Sequence, residues 1–306
     1  MLKLDGLEAF IAVAEAGSIS GAARRLGCAK SIVSDRLAEL ERTIGARLVQ
    51  RTTRSTTLTG DGDALLVRAR TILRDVADAH AEVAERRGTL EGPLRLAGPI
   101  GFGALHLGPA LYGFLAAHPG IRLTLDLDDR FVDAAGDGYD AVIRHGLVSD
   151  ERLVVKHLAS SRRILVASPA HLAQRGVPRT VADLEHACAI LYVNREADWR
   201  FSAGDGDTVI RPLACLRVNN GIVMRDAALS GLGIALLPTF FVHRQIADGS
   251  LVQIDVGAEA EGATVHLAYP TNRSPSAKLV ALVAWLREAF GTPAYWDRPL
   301  TQAELP

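Results

Sequence analysis

The stretch Gly17–Gly62 reads GSISGAARRLGCAKSIVSDRLAELERTIGARLVQRTTRSTTLTGDG and decides the fold of the N-terminal part of the chain. It follows a segment, Leu4–Ala16, in which apolar residues recur at spacings of three and four. These residues are Leu7, Phe10, Ile11 and Ala14. That spacing places them on one face of a helix, where they can be buried together. The sequence therefore predicts a first amphipathic helix against which Gly17–Gly62 folds.

Two short helices separated by a glycine are predicted inside this stretch. Ser18 and Ser20 can each cap the helix expected over about residues 20–26, because a serine oxygen accepts from free N–H groups at a helix start. Gly27 ends that helix, and a third helix is expected from about Ala29. Its inward-facing residues are Val33, Leu37 and Leu40. Two short helices joined at a glycine, the second with a polar and basic outer face, predict a helix-turn-helix.

Positive charge is concentrated in this part of the chain. Residues 1–60 contain nine Lys and Arg against six Asp and Glu, a formal charge of +3, whereas the whole chain carries −1. Residues 61–306 therefore carry −4. The basic, hairpin-like stretch Arg47–Thr59 is predicted to form a wing beside the helices. Because phosphate binding needs clustered positive charge, charge and helix pattern together predict a DNA-binding module rather than a surface that is basic by chance.

A long helix is predicted over Asp63–Arg87. Its apolar residues follow the a/d spacing that is typical of two helices packed lengthwise. The seam residues are Leu66, Ala69, Leu73, Val76, His80 and Val83. We interpret this segment as a dimerising linker helix, with a surface helix lying on its own domain as the alternative. His80 is either a pH-sensitive seam residue or a tolerated polar one.

From Leu94 onward, predicted strands alternate with predicted helices. The strands are Leu94–Ala97, Ile121–Leu127, Ala141–Ile143, Val154–Leu158, Ile164–Ala167, Cys188–Tyr192, Thr208–Ile210, Leu216–Val218, Gly233–Leu237 and Val265–Tyr269. The helices are Phe102–Ala117, Asp133–Asp137, Asn220–Leu229 and Ser276–Phe290. Alternation of this kind is typical of an α/β fold with mainly parallel sheets. Its length favours two similar lobes with a cleft between them, where ligands bind at strand carboxyl ends and helix N-termini.

Three segments are therefore expected. They are a winged helix-turn-helix domain over 1–60, a linker helix over 61–90 and an effector-binding domain over 91–306. Within the last segment we expect lobe I at about 91–162 and 265–306, and lobe II at about 163–264.

Composition argues against several other classes of protein. Cys28, Cys188 and Cys215 fit neither a disulfide framework nor a zinc cluster, so we expect no cofactor, no metal and a reducing cytoplasm. Asp5 and Glu8 interrupt any apolar run that could form a signal peptide. No uninterrupted apolar stretch reaches the roughly 18 residues of a membrane span.

Two other classes of protein, an α/β enzyme and a solute-binding receptor, fit parts of this sequence. An α/β enzyme would need a recognisable site, but the run Gly98–Gly103 departs from GxGxxG, and no nucleophile elbow, HExxH motif or P-loop is present. We therefore predict no catalytic residues. A solute-binding receptor would fit the two lobes, but the missing export signal and the basic N-terminal module argue against it.

Two sets of motifs match one known family. The N-terminal set is FIAVAEAGSISGAARR (Phe10–Arg25), Val33-Ser34, Leu40-Glu41, Gly45, RTTR (Arg51–Arg54) and Leu58-Thr59. The later set is RFV (Arg130–Val132) with GYDAVIR (Gly138–Arg144), Ser168-Pro169, Asn219–Gly221 and GLGIALLP (Gly231–Pro238). With these motifs the chain resembles the LysR-type transcriptional regulators from Leu7 to about Phe290. The resemblance leaves open whether the residues after Gly291 form a loose tail or cover a neighbouring subunit.

The resemblance implies an N-terminal all-α winged helix-turn-helix, a linker coiled coil and a two-lobed α/β effector domain like a periplasmic binding protein. It also implies promoter binding as a homo-oligomer, usually a homotetramer, and a change in transcription when a small molecule binds. The expected partners are double-stranded DNA, a small-molecule effector, further copies of the chain and RNA polymerase. The implied location is the cytoplasm, without a membrane.

The resemblance places base-reading positions at Lys30, Ser31, Ser34 and Asp35, with Arg36 beside them. The position of Asp35 is often basic in the family, and a carboxylate accepts from cytosine N4 but cannot pair with guanine as arginine does. We therefore predict an unusual half-site or a base contact moved to Arg36, with an intrahelical ion pair of Asp35 as the alternative. Further DNA contacts are predicted at Ser20, Arg24, Arg51, Thr52, Thr53 and Arg54. The wing arginines should touch phosphates or the minor groove, unless they form surface ion pairs.

Effector-facing residues are implied at the strand-to-helix turns between the lobes. They are Pro99, Ile100, Gly101, Phe102, Arg144, His145, Asn194, Asn219, Asn220, Gly221, Ile222 and Pro238. Helix N-termini near Gly101 and Asn220, together with Arg144, would suit a carboxylate, so the predicted ligand is a small organic anion. Arg144 could instead lock a loop through a structural ion pair. Gly101 replaces the hydroxyl residue that is usual in the family.

Overall fold

The computed structural model describes residues 2–51, 56–85, 89–130, 138–146, 148–193, 199–203, 206–271 and 275–298. The chain divides into two compact units, of which the first runs to Pro93 and the second begins at Leu94. The first unit therefore contains both the predicted DNA-binding module and the predicted linker helix. The predicted short helix Asp133–Asp137 lies outside the described residues.

The first unit is helical apart from one small hairpin. Its elements are α1 (Leu4–Ala16), α2 (Ile19–Leu26), α3 (Lys30–Ile44), β1 (Val49–Arg51), β2 (Thr56–Leu58) and α4 (Gly60–Glu85). Gly17 and Gly27 end α1 and α2 in the left-handed conformation that glycine adopts without strain. Ser18 caps α2 by accepting from the Gly21 N–H at 3.1 Å, whereas Ser20 lies inside the helix. The predicted helix-turn-helix is confirmed.

The core of the first unit is built from all four helices and the base of the hairpin. Leu7, Phe10, Val33, Leu37 and Leu48 are each 0% exposed. These residues repeat at helical spacing in α1 and α3, which is why the two helices bury a shared apolar face.

Helix α4 packs on this same core and corrects one prediction. Ala69 is 0% exposed, and Leu66 and Leu73 pack against the buried cluster of the helix-turn-helix. Three residues of the seam predicted for dimerisation therefore pack against the core of their own chain. Because Ala69 is fully buried there, it is not exposed for contact with a second chain. The side chains of His80 and Val83 lie outside the described residues.

The second unit is an α/β structure with many short strands. They are β3 (Gly92–Gly98), β4 (Ile121–Leu127), β5 (Ala141–His145), β6 (Leu153–Ser161), β7 (Arg163–Ala167), β8 (Cys188–Tyr192), β9 (Trp199–Ala203), β10 (Gly206–Ile210), β11 (Leu213–Val218), β12 (Ile234–Pro238), β13 (Val252–Ile254), β14 (Glu259–Ala260) and β15 (Ala263–Pro270). The helices are α5 (Ile100–Phe102), α6 (Gly108–Ala117), α7 (Pro169–Arg175), α8 (Gly221–Leu229), α9 (Thr239–Ala247) and α10 (Ala277–Phe290). A π-helical turn, Gly103–Leu107, joins α5 to α6.

Two five-stranded sheets form the lobes, in the orders β4-β3-β5-β15-β6 and β11-β8-β12-β7-β13. The sheets are mixed, which corrects the prediction of mainly parallel sheets. Strand β5 is parallel to β3, and β8 is parallel to β11 and β12. Strand β15 runs antiparallel to β5 and β6, and β7 runs antiparallel to β12 and β13. A third sheet, β10-β9-β14, lies beside the second lobe.

The continuous helix Ile100–Ala117 is long and apolar enough to cross a membrane by composition alone. Its side chains Phe102, Leu107, Leu111 and Phe114 are at most 1% exposed, and α6 packs against α10. In this fold the segment is a core helix of the first lobe.

Candidate functional site

The exposed face of α3 carries the predicted base-reading residues. Lys30, Ser31 and Asp35 are exposed and Ser34 is half-buried. A helix turns by about 100° per residue, so Ser31 and Asp35 point away from the buried Val33. The structure therefore presents a short row of polar side chains on one side of α3.

Arg36 is turned away from this row. Its Nη2 atom donates to Oδ2 of Asp5 in α1 at 2.8 Å. The guanidinium of Arg36 thus joins two helices of its own unit, which argues against the predicted transfer of the base contact to Arg36. Asp35 has no ion-pair partner among the described residues, so the intrahelical pair considered for it is not formed either.

Other charges of the first unit divide into paired and unpaired groups. Glu15 accepts from Arg25 of α2 at 2.5 Å and from Arg70 of α4 at 2.9 Å, which ties three helices together. Arg24 and Lys30 have no ion-pair partner in the described part of the chain, and both are exposed. Unpaired, exposed basic side chains such as these, on α2 and α3, are of the kind that binds phosphate groups.

The hairpin predicted as a wing is present, and its base is fixed to α3. Strands β1 and β2 are antiparallel, with Val49 opposite Leu58. The carboxylate of Glu41 accepts from the backbone N–H groups of Leu48 and Val49 at 2.8 and 3.2 Å. The predicted contacts Thr52, Thr53 and Arg54 and the side chain of Arg51 lie outside the described residues.

A cavity of about 720 Å³ lies in the second unit, where the lobes face each other. It opens at the carboxyl ends of β3, β5, β8 and β12, the place where parallel strands present ligand sites. Of the predicted effector residues, those lining it are Pro99, Gly101, Phe102, Arg144, His145, Gly221 and Pro238. Ile100, Asn219, Asn220 and Ile222 lie next to lining residues, and Asn194 is outside the described residues. Lining residues that sequence reasoning missed include Asp128, Asp129, Arg130, Arg163, Tyr192, Met224, Phe240 and Phe241.

The helix N-termini at this cavity are already occupied by groups of the chain. Oδ1 of Asp129 accepts from the Ile100 N–H at 2.9 Å, and Oδ2 accepts from Nδ2 of Asn220 at 3.2 Å. Oδ1 of Asn220 in turn accepts from the N–H groups of Ile222 and Val223 at 3.0 and 3.2 Å. Each N-terminus therefore has an internal acceptor for at least one N–H group, which argues against these helix starts as the main site for a ligand carboxylate.

The ring of Phe241 fills the space above two glycines. A Cβ atom at Gly101 would lie 2.5 Å from Phe241 Cε1, and one at Gly221 would lie 2.4 Å from Cε2 and Cζ of the same ring. A side chain at either position would displace the ring, since real contacts are longer than this. The glycine at 101, where the family usually has a hydroxyl residue, is thus explained by an aromatic ring from α9.

The charged lining has more positive than negative groups. Arg130, Arg144 and Arg163 face the cavity together with Asp128 and Asp129. Asp128 is paired with Arg130, whose Nη2 lies 2.7 Å from Oδ2, and the guanidinium lowers the pKa of Asp128 below its usual range. Arg144 comes from β5 and Arg163 from β7, so the two lobes each contribute a guanidinium. Within the described residues, no group of three or more His, Cys, Asp or Glu side chains is placed to hold a metal ion.

A basic helix-turn-helix with a wing, followed by a two-lobed α/β unit around a ligand-sized cavity, defines a ligand-sensing DNA-binding regulator. The model of the bacterial regulatory helix-turn-helix protein, lysR family, matches residues 4–63, and that of the LysR substrate binding domain matches residues 87–291. The chain belongs to the LysR family of transcriptional regulators.

Named relatives agree with this assignment over nearly the whole chain. The HTH-type transcriptional regulator DmlR of Escherichia coli (strain K12) is 33% identical over 290 residues, which cover 94% of each chain. PtxR of Pseudomonas aeruginosa is 31% identical, with 95% of this chain and 94% of PtxR covered. The solved structure of CrgA, a LysR-type transcriptional regulator from Neisseria meningitidis, is 27% identical with a TM-score of 0.60, covering 94% of this chain and 99% of CrgA. Each of these three relatives is a transcriptional regulator.

Proposed function

We propose that the exposed face of α3 reads bases in the major groove of promoter DNA, while the wing and Arg24 contact phosphates. The observation that carries this is the polar row Lys30, Ser31, Ser34 and Asp35 on the side of α3 opposite its buried face. Helix-turn-helix proteins place that face of the second helix in the groove. We further propose action in the cytoplasm, as a dimer or tetramer, with RNA polymerase as the partner through which transcription changes.

A hydroxyl-radical footprint on the DNA upstream of the protein's own gene tests this proposal. We call the first compact unit of the chain, which contains the helix-turn-helix, the head. The heads of two chains should protect two half-sites that lie about 10 base pairs, or a multiple of that, apart. Lys30→Ala should abolish the footprint at concentrations where the parent protects fully. Lys3→Ala is the matched control, because Lys3 is paired with Glu39 at 2.8 Å. Equal protection by both variants would show that the face of α3 is not the reading surface.

We also propose that the effector is a small organic anion with an apolar body. Because Asp129 and Asn220 satisfy the helix N-termini, the anionic group would be held by Arg144 and Arg163 instead, one from each lobe. Phe240, Phe241 and Tyr192 supply the apolar and aromatic surface, and the cavity volume falls within the range for small-molecule sites.

A thermal-shift series on the full chain tests the ligand class. Aromatic and aliphatic monocarboxylates should raise the melting temperature in a concentration-dependent way, and the matching primary amides should not. Arg163→Gln should remove the shift. A response to the amides equal to that of the acids would overturn the anion assignment without affecting the DNA proposal.

A further inference from the structure

The segment Ala294–Arg298 lies beyond the end of the matched substrate-binding domain at residue 291. It forms a short 3-10 helix, Tyr295–Asp297, and Ala294 and Trp296 are each 2% exposed. The structure thus excludes a loose tail for this part of the chain, which was one of the two readings that the sequence left open. We call this segment the C-terminal strap.

The strap meets the first lobe at His106, in the π-helical turn. Nε2 of His106 lies 2.8 Å from the carbonyl oxygen of Phe240, and Nδ1 contacts the hydroxyl of Tyr295. A carbonyl oxygen only accepts, so Nε2 carries the proton and donates to it. In the neutral ring Nδ1 then accepts from the Tyr295 hydroxyl. One imidazole of the first lobe is therefore joined both to the second lobe and to the strap.

Trp296 packs against the aromatic wall of the cavity. Its ring centroid lies 5.8 Å from that of Phe102 and 6.1 Å from that of Phe240, both in edge-to-face geometry. Phe102 belongs to the first lobe and Phe240 to the second, and both line the cavity. Nε1 of Trp296 also donates to the carbonyl of Ser160 at 3.4 Å, where β6 ends. The strap thus contacts the aromatic wall of the cavity at one residue of each lobe, Phe102 and Phe240.

Asp297 attaches the strap to the second lobe. Its Oδ1 atom accepts from the Thr239 hydroxyl at 2.6 Å. The N–H of Thr239 donates to the carbonyl of Arg162 at 2.9 Å, in the short connection through which the chain passes from β6 to β7. The strap therefore lies against the crossing between the lobes and is bonded to both of them.

We propose that the C-terminal strap fixes the angle between the two lobes and positions Phe102 and Phe240 at the effector cavity. Removing one attachment leaves each lobe folded but frees the lobes to rotate about the crossing. Only the consequence for effector response rests on the proposed function, because the geometry of the lobes can be measured without ligand or DNA.

The experiment measures the distance between the lobes by pulsed electron paramagnetic resonance on the full chain. Spin labels are attached to p-acetylphenylalanine at Thr124 and Gln174, which are exposed and lie on β4 and α7. The labelled protein is diluted into unlabelled protein so that distances within one chain dominate. Tyr295→Phe and Thr239→Val each remove one hydroxyl of the strap network at nearly constant volume. Tyr112→Phe on α6, 71% exposed, and Thr239→Ser are the controls.

Both strap variants should broaden or shift the distance distribution by several ångström, and both controls should match the parent. Circular dichroism of every variant should remain that of the parent. Unchanged distributions in Tyr295→Phe and Thr239→Val would overturn the proposal. A change in only one of the two would also overturn it, since a strap needs both attachments. Failure of the parent protein to bind DNA or an effector would count against the proposed function and would leave these distance measurements unaffected.

Discussion

At the residue scale, several hydrogen-bonding groups near the predicted effector and DNA sites are bonded to side chains of the same chain. Asp129 and Asn220 accept from backbone N–H groups at helix starts near the cavity, and Asp5 of α1 pairs with Arg36 of the recognition helix α3. These internal partners narrow the set of residues left for recognition.

Asp35→Ala should change which DNA sequence is preferred, because an exposed carboxylate on the reading face accepts from cytosine N4. A lost base contact costs about 1–3 kcal/mol of discrimination at that position. Selection from a randomised duplex library measures this. Arg36→Ala should leave the preferred sequence unchanged and lower only the stability of the head. The same consensus for the parent and for Asp35→Ala would show that Asp35 reads no base.

Gly221→Ala should destabilise the second unit by about 1–3 kcal/mol, because the new Cβ would press on the ring of Phe241. In a Phe241→Ala background the same change should cost less than about 0.5 kcal/mol, since the obstacle is gone. Gly233→Ala is the control, because its Cβ would meet the carbonyl of Cys188, which Phe241→Ala leaves in place. Denaturant unfolding measures the three single variants and the two double variants. Additive costs for Gly221 and Phe241 would contradict the contact.

His106 should make stability depend on pH. Burial lowers the pKa of His106 from 6.5 to about 4, and His243 and Arg244 of α9 act in the same direction, whereas the hydrogen bond to the Phe240 carbonyl raises this pKa. The hydroxyl of Tyr295 can donate to Nδ1 only in the neutral ring. Between pH 6.5 and 4 the unfolded chain binds a proton that the folded chain does not. Stability is therefore highest above pH 6.5 and falls by up to about 3 kcal/mol as the pH drops to 4. His106→Gln should flatten this slope in urea melts, and an unchanged slope would assign the effect to another group.

At the element scale, α4 has apolar residues on two sides, one packed against the core of the head and one exposed. Leu66, Ala69 and Leu73 face the core of the head, whereas Val67 and Ile72 are 45% and 36% exposed. The predicted seam recurs at coiled-coil spacing because a helix that covers a core needs the same spacing as one that pairs. Sequence periodicity alone cannot separate these two uses.

Val67→Glu should convert oligomers to monomers on size-exclusion chromatography with light scattering and leave the melting temperature of the head unchanged. Leu73→Glu should instead lower that melting temperature, because it places a charge against a buried cluster. If Val67→Glu keeps the oligomer intact, self-association uses another surface.

At the scale of the whole molecule, the sequence predicted the elements well and their long-range contacts poorly. Helices α1, α3, α8 and α10 were predicted because each buries a regular apolar face, and the carboxyl ends of the predicted strands led to the cavity. Helix α9 was not recognised, so Phe241 could not be placed. The hydrogen bond between Asp129 and Ile100 joins residues 29 positions apart in the sequence, and that between Trp296 and Ser160 joins residues 136 positions apart. No local sequence pattern predicts such pairs. Strand β10 was predicted over Thr208–Ile210, but the edge strand β13 and the strands β9 and β14 were missed because they are short and lack regular alternation.

The central claim is that a compact basic head binds duplex DNA by sequence while the second unit senses a small molecule. The most direct test is fluorescence anisotropy of the full chain on the duplex upstream of its own gene, compared with a scrambled duplex of equal length. Binding is measured at about 50 and about 200 mM salt, a range over which phosphate contacts weaken. We predict tighter binding to the native duplex at both salt concentrations, with affinity for both duplexes falling as salt rises. Equal affinity for the two duplexes, or no binding to either by the folded protein, would contradict the account.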